Sequence, residues 1–167
     1  MLAIAPKFNL GQSRSLLLNT GDSGYRIYST RIQSDTRQKI KFIVNGLDLY
    51  SNIEDLLEDS TYRFYLEKPY VHGFTFMFPC TAVAHARNSD VVHRTGWRQI
   101  NFMLNSALAS AVKTEVEKLK TYNRSISMSS FLYTGLIWHL NRLMAIPEKN
   151  LQAFRKKAPV ASGALTQ

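Results

Sequence analysis

The residues of this chain best suited to chemistry are Cys80, His85 and His93, which lie close together in the sequence and carry ligand-capable or nucleophilic side chains. Structural zinc sites take four Cys or His ligands at short, recurrent spacings, and this stretch has neither a fourth ligand nor such a spacing. A Cys–His nucleophilic pair would need a pocket joining Cys80 to one of the histidines, and no local catalytic signature accompanies them. We therefore expect a strand cysteine beside a polar loop, with no metal, no cofactor and no enzymatic activity.

Two other features that can mark active sites have structural interpretations here. His139 lies on the apolar stripe of a predicted helix, which favours a hydrogen-bonded histidine in the core or at its boundary. The glycines stand singly, so none of them builds a phosphate-cradling loop. The sequence indicates a protein that binds and assembles rather than one that catalyses a reaction.

Positively charged side chains form three groups along the chain. They are Arg37, Lys39 and Lys41; Lys118, Lys120 and Arg124; and Arg155, Lys156 and Lys157. The lysine ammonium group and the planar arginine guanidinium group bind phosphate and carboxylate groups. Each group alone is also typical of a solvated face, and part of the second complements the dipole at the end of a predicted helix.

The distribution of charge along the chain favours an anionic partner. The net charge is +9, yet residues 1–60 contain seven basic and seven acidic residues, whereas residues 61–167 contain fourteen basic and five acidic ones. This asymmetry indicates that the C-terminal part meets a nucleic acid or the headgroups of an acidic membrane. Aromatic residues interleave with charge at Tyr62-Arg63-Phe64-Tyr65, a pattern that can stack unpaired bases. The same pattern describes a two-faced strand, which we favour.

Length and composition are those of one globular domain. The chain has 167 residues, of which 45% are hydrophobic, enough to bury a core. No apolar run is long enough to span a bilayer, and the first residues lack the features of a secretory signal. The single cysteine fits a reducing compartment, so we expect the cytosol or nucleus.

The N-terminal part predicts an arm followed by a hairpin. Residues 1–24 are punctuated by glycine and small polar residues, which indicates an irregular arm around one short strand, Ser15–Asn19. Alternating residues then predict a hairpin over residues 25–45. Alternation places Lys39 and Lys41 on the same outward face of its second strand.

The middle of the chain predicts a short helix and then strands. Ser51 and Glu54 form a capping box, with a helix over residues 52–59. Further strands are predicted at residues 62–66, 74–84 and 97–104. A proline inside the second of these implies an edge or a bulge.

The last part of the chain changes to helical periodicity. Helices are predicted over residues 106–120 and 130–146, with one or two further turns over residues 148–157. We expect one globular domain, residues 25–157, and a flexible tail, residues 158–167. The predicted fold is α+β: a curved, mostly antiparallel sheet packed against two longer helices and one short helix, preceded by the irregular arm.

The predicted order of elements over residues 25–86 resembles the core of rhabdovirus matrix proteins, especially the short ones of plant rhabdoviruses. A hairpin leads into the capped helix Tyr50-Ser51-Asn52-Ile53-Glu54-Asp55-Leu56-Leu57, and a tyrosine-rich strand, Lys68-Pro69-Tyr70 and an aromatic strand follow. The resemblance covers about a third of the chain. Size, basic charge and the N-terminal arm agree with it.

The resemblance implies a structural protein of the virion. Such a protein forms homo-oligomers, contacts the viral nucleoprotein in the helical ribonucleoprotein, and attaches to the inner face of an acidic membrane. The implied location is the virion, the host cytoplasm and the membrane periphery, and the nucleus is a further option. Leu16, Leu17 and Leu18 would form an apolar strand or hook that docks on a neighbouring subunit. The alternative is a basic RNA-binding accessory or capsid-like protein.

Overall fold

The computed structural model describes residues 24–80 and 96–147. Over these residues the protein is α+β, which confirms the predicted class. The regular elements are β1 (Tyr25–Gln33), α1 (Ser34–Lys41), α2 (Ile53–Glu67), β2 (Trp97–Asn105), α3 (Ser106–Lys120) and α4 (Met128–Met144). A π-helical segment (Phe42–Gly46) extends α1, and a 3₁₀ turn (Pro69–His72) follows α2.

The two strands form one antiparallel ladder although they are far apart in the sequence. Tyr25 pairs with Asn105 at one end and Gln33 with Trp97 at the other. Alternation divides each strand into two faces. The inner face packs on the helices, and its most buried side chains are Thr30, Ile32, Phe102 and Leu104. Both strands agree with the prediction, but in the described part of the chain the sheet has two strands rather than many.

The predicted hairpin over residues 25–45 is wrong in its second half, because residues 34–46 are helical. The buried side chains there are Thr36, Ile40, Ile43 and Val44, spaced as one face of a helix rather than as alternate residues of a strand. Lys39 and Lys41 therefore do not share a strand face.

The predicted short helix is correct at its start but too short. The helix α2 continues to Glu67, so the predicted strand over residues 62–66 is wrong. Its cap is Asn52, whose side chain accepts the Asp55 N–H at 2.8 Å, rather than the predicted Ser51. The helix ends where Lys68 takes a left-handed conformation, at φ 45°.

The helix α2 continues past the predicted end because its buried side chains keep a helical spacing. They are Leu56, Leu57, Ser60, Thr61 and Phe64. Residues 74–80 form no strand, and the rest of the strand predicted over residues 74–84 lies outside the described residues.

The helix α4 is the centre of the core and packs closely on α2. Side chains are buried on nearly every face of α4, which the 15-residue α3 and the sheet surround. The contact with α2 depends on Gly135, since a Cβ added there would lie 3.0 Å from Cβ and Cγ of Phe64. The two predicted C-terminal helices are confirmed, within two residues at each end.

Two of the strands behind the resemblance to matrix proteins are thus helical, at residues 34–46 and in α2. The predicted arm, the turns over residues 148–157 and the flexible tail lie outside the described residues. The resemblance therefore loses part of the element order on which it depends.

Candidate anion-binding surface

Four polar side chains meet inside the protein, where α2 and α4 pack together. Asp59 and Arg63 come from α2, one turn apart, and Arg63 Nε donates to Asp59 Oδ2 at 2.8 Å. Tyr50, in the loop before α2, donates its hydroxyl proton to the same oxygen at 2.7 Å. His139, from α4, places Nε2 2.7 Å from the Tyr50 hydroxyl. We call Tyr50, Asp59, Arg63 and His139 the buried polar cluster.

The protonation of the buried polar cluster follows from its geometry. The Tyr50 hydroxyl has one proton, which goes to Asp59, so Nε2 of His139 must carry the hydrogen and donate it to the Tyr50 oxygen. Its Nδ1 is then a bare acceptor that is fully buried and has no hydrogen-bond partner in the described part of the chain. Burial lowers the pKa of His139 to about 4, which outweighs the opposing effect of the Asp59 carboxylate. The 3.5 Å approach of His139 to Asp59 is therefore not an ion pair at neutral pH.

This arrangement is part of the core. The prediction that His139 belongs to the core is confirmed, since its side chain is 0% exposed. Burial, together with the neighbouring Asp59 carboxylate, raises the pKa of Tyr50 well above its ordinary value, so its hydroxyl stays protonated. The cluster holds its charges inside the protein and offers none to a partner.

A second polar cluster joins the turn after α2 to α3. Glu115 accepts hydrogen bonds from Lys68 Nζ at 3.0 Å and from the Tyr70 hydroxyl at 2.8 Å. Burial alone would raise the pKa of Glu115, but the hydrogen bonds from Tyr70 and Lys68 and the charges of Lys68 and Lys118 lower it overall. Lys68 therefore forms an ion pair within the protein.

Some residues of the predicted basic groups also form ion pairs within the protein. Lys120 pairs with Glu117 at 2.8 Å, and Lys39 approaches Asp35 at 4.0 Å. Outside those groups, Nη1 of Arg142 donates to both carboxylate oxygens of Glu67 at 2.8 Å. In residues 24–80 and 96–147, the predicted basic residues without an ion pair are Arg37, Lys41, Lys118 and Arg124, and all four are exposed.

The first exposed basic surface lies on α1 and its π-helical extension. Arg37 and Lys41 are one turn apart and so share a face of the helix. The ring of Phe42, the next residue, is 51% exposed. We call Arg37, Lys41 and Phe42 the α1 surface; it combines two cations that have no ion pair within the described residues with an exposed aromatic ring.

The second exposed basic surface is the turn that follows α3. Its backbone is ordered, because the Tyr122 and Asn123 N–H groups both donate to Leu119 O and the Asn123 side chain accepts the Ser125 N–H. This turn presents Tyr122 with 90% of its surface exposed.

Lys118 and Arg124 flank Tyr122 in the sequence, one on the last turn of α3 and one beyond it. We call Lys118, Tyr122 and Arg124 the α3 turn. It offers the same combination as the α1 surface, on a backbone held by hydrogen bonds.

The remaining predicted site residues are not placed by the structure. Arg155, Lys156 and Lys157 lie outside the described residues, as do Leu16, Leu17 and Leu18. Cys80 is a partly buried free thiol at the end of a described segment, while His85 and His93 lie outside it.

Two further features of the described residues concern metal binding and membrane insertion. These residues contain no group of three or more His, Cys, Asp or Glu side chains arranged to hold a metal ion. Among them no helix has both the length and the apolar character needed to cross a membrane.

The aromatic residues of the two basic surfaces, Phe42 and Tyr122, were missed by reasoning from the sequence. Tyr122 follows directly on a helix whose last turn is basic, and an aromatic residue just past an amphipathic helix is a signal that could have been used. Phe42 gave no such signal, because alternation placed it in a strand.

Comparisons with protein-family models, with curated proteins and with solved structures find no match. A function can therefore be argued only from the geometry of this chain.

Proposed function

We propose that this protein is a matrix-type viral structural protein. It associates with itself and joins the helical ribonucleoprotein to the inner face of an acidic membrane, without catalysing a reaction. In this role it resides in the virion and, in the host cell, in the cytoplasm and at the membrane periphery. One observation carries the proposal: the α1 surface and the α3 turn each combine exposed cations with an exposed aromatic ring.

That combination suits a charged interface better than bulk water. A Lys or Arg near an anionic membrane contributes about 1 kcal/mol of attraction. Tyr is enriched at membrane–water interfaces, because its ring is apolar while its hydroxyl stays hydrated. An aromatic ring such as Tyr122 loses little conformational freedom on binding when the backbone beneath it is already ordered.

Sedimentation with lipid vesicles tests this proposal. Vesicles of phosphatidylserine and phosphatidylcholine should carry down the full chain at low salt and release it as the salt concentration rises. Replacing Lys118 and Arg124 by glutamine should weaken binding, and Tyr122→Ser should weaken it further.

Lys113→Gln is the control, since Lys113 is an exposed lysine on the same helix, outside the α3 turn, and forms no ion pair with the described residues. An equal loss per charge removed in Lys113→Gln and in the Lys118 and Arg124 double variant would show that only total charge matters. No binding to acidic vesicles at low salt would overturn the membrane part of the proposal.

The α3 turn also supports a second candidate, a basic RNA-binding accessory or capsid-like protein. An exposed ring beside Arg124 can stack on an unpaired base, an interaction worth about 1–3 kcal/mol. Fluorescence anisotropy with a short single-stranded RNA measures this directly. RNA binding that falls strongly in Tyr122→Ser but survives in Tyr122→Phe, without vesicle binding, would favour this candidate.

A further inference from the structure

The outer face of the sheet is an apolar surface that the helices do not cover. Tyr25 and Ile27 of β1 and Met103 of β2 point away from the core, and Ile27 lies directly opposite Met103 in the ladder. Ile27 is 67% exposed, which is unusual for an isoleucine in a strand. A two-stranded sheet gains stability from cover on a face of this kind.

The rest of this face is polar but nearly free of charge. Next to the apolar part, Ser29 donates to Asn101 Oδ1 at 2.8 Å, and Gln99 Nε2 donates to Ser29 Oγ at 3.2 Å. The charged residue among these outward positions is Arg31, four residues beyond Ile27 and about 13 Å along the strand. We call Tyr25, Ile27, Ser29, Gln99, Asn101 and Met103 the outer sheet face.

We propose that a second copy of this chain packs on the outer sheet face, sheet against sheet, about a twofold axis. This inference rests on the self-association in the proposed function and names the surface that performs it. Two molecules of net charge +9 repel each other, so they approach closely only where both are uncharged. The apolar end of the outer sheet face, at Tyr25, Ile27 and Met103, meets that condition, whereas the end where Arg31 pairs with Gln99 does not, and neither do the α1 surface and the α3 turn.

The same argument excludes the anionic partner as the occupant. Membranes and nucleic acids bind where lysine and arginine are concentrated. The apolar end of the outer sheet face contains Tyr25, Ile27 and Met103 and no cation. Self-association and anion binding are thus assigned to separate surfaces, as an assembling layer requires.

Sedimentation equilibrium of the full chain at moderate salt tests the inference. We expect a concentration-dependent dimer that Ile27→Lys or Met103→Lys weakens by about a hundredfold, since a twofold axis buries each substituted side chain twice. The control is Val71→Lys, which adds the same charge at a 66% exposed position in the 3₁₀ turn after α2. It should leave the dimer unchanged.

Three results would overturn the inference. The first is a wild-type chain that stays monomeric at about 100 µM, a concentration at which a dimer of about micromolar affinity would form. The second is a dimer that Ile27→Lys leaves intact. The third is a dimer lost on replacing Leu16, Leu17 and Leu18 by serine but retained in Ile27→Lys, which would assign the contact to the leucine segment. If the Ile27→Lys variant is monomeric and still binds acidic vesicles, that result supports separate surfaces. If neither the wild type nor any variant binds acidic vesicles, that result counts against the proposed function alone.

Discussion

The buried polar cluster and the α3 turn are built from the same kinds of residue and have opposite roles. Both contain a tyrosine and an arginine close to a helix, yet Tyr50 is buried and bonded while Tyr122 is almost fully exposed. Arg63 is held by a carboxylate one turn away, whereas Arg124 has no ion pair within the described residues. Burial and pairing, rather than residue type, separate charges that stabilise the fold from charges that remain for a partner.

The largest test of this contrast concerns aromatic residues. Phe64→Ala should lower the free energy of unfolding by about 4 kcal/mol, because the ring is fully buried against Gly135 and packs edge-on against Phe131. Phe42→Ala should lower it by only about 1 kcal/mol, since half of that side chain remains exposed. Urea unfolding measures both, and similar losses in the two variants would contradict the distinction.

The second test removes a carboxylate. Asp59→Ala should cost about 3 kcal/mol of stability, because it leaves Arg63 and Tyr50 largely buried without their shared acceptor. Asp35→Ala breaks a 4.0 Å pair between exposed side chains and should change stability by less than about 0.5 kcal/mol. Chemical unfolding at pH 7 measures both. An Asp59→Ala variant with the same free energy of unfolding as the wild type would show that the buried polar cluster is not structural.

The third test uses pH. His139 has a pKa of about 4 in the folded protein and an ordinary value near 6.5 when unfolded, so between these values the unfolded chain binds a proton that the folded chain does not. Stability should therefore be complete above about pH 6.5 and fall as the pH drops, by about 2 kcal/mol between pH 7 and pH 5.

Unfolding curves at the two pH values measure this slope, in a range where most carboxylates stay ionised. His139→Gln should flatten it, and His72→Gln, which alters an exposed histidine, should not. An unchanged slope in His139→Gln would remove His139 as its source.

The smallest effect on stability is expected at the α3 turn. Replacing Lys118 and Arg124 by glutamine should alter the free energy of unfolding by less than about 0.5 kcal/mol, because neither has an ion pair within the described residues. The same variant should bind acidic vesicles less tightly and with a shallower dependence on salt. A marked loss of stability would place these cations with the structural charges instead.

The sequence by itself determined the elements whose periodicity is local and unambiguous. The strands β1 and β2 and the helices α3 and α4 were predicted closely, because alternation or helical spacing continues through each of them. It also determined the excess of positive charge after residue 60. It did not decide residues 34–46 or 62–66, where alternating and helical patterns coincide.

Only the tertiary structure decided which charges remain available. Residues 39–44 are helical because Ile40 and Ile43 both reach the core in that conformation. His139 contacts Asp59 and Tyr50, which lie about 80 and 89 positions earlier in the sequence. Lys68 lies 47 positions before its partner Glu115. A short stretch of sequence cannot encode such encounters, because they depend on the close approach of α2 and α4 at Gly135 and of α3 to the turn after α2. Packing pairs or buries some of the predicted cations and leaves Arg37, Lys41, Lys118 and Arg124 exposed.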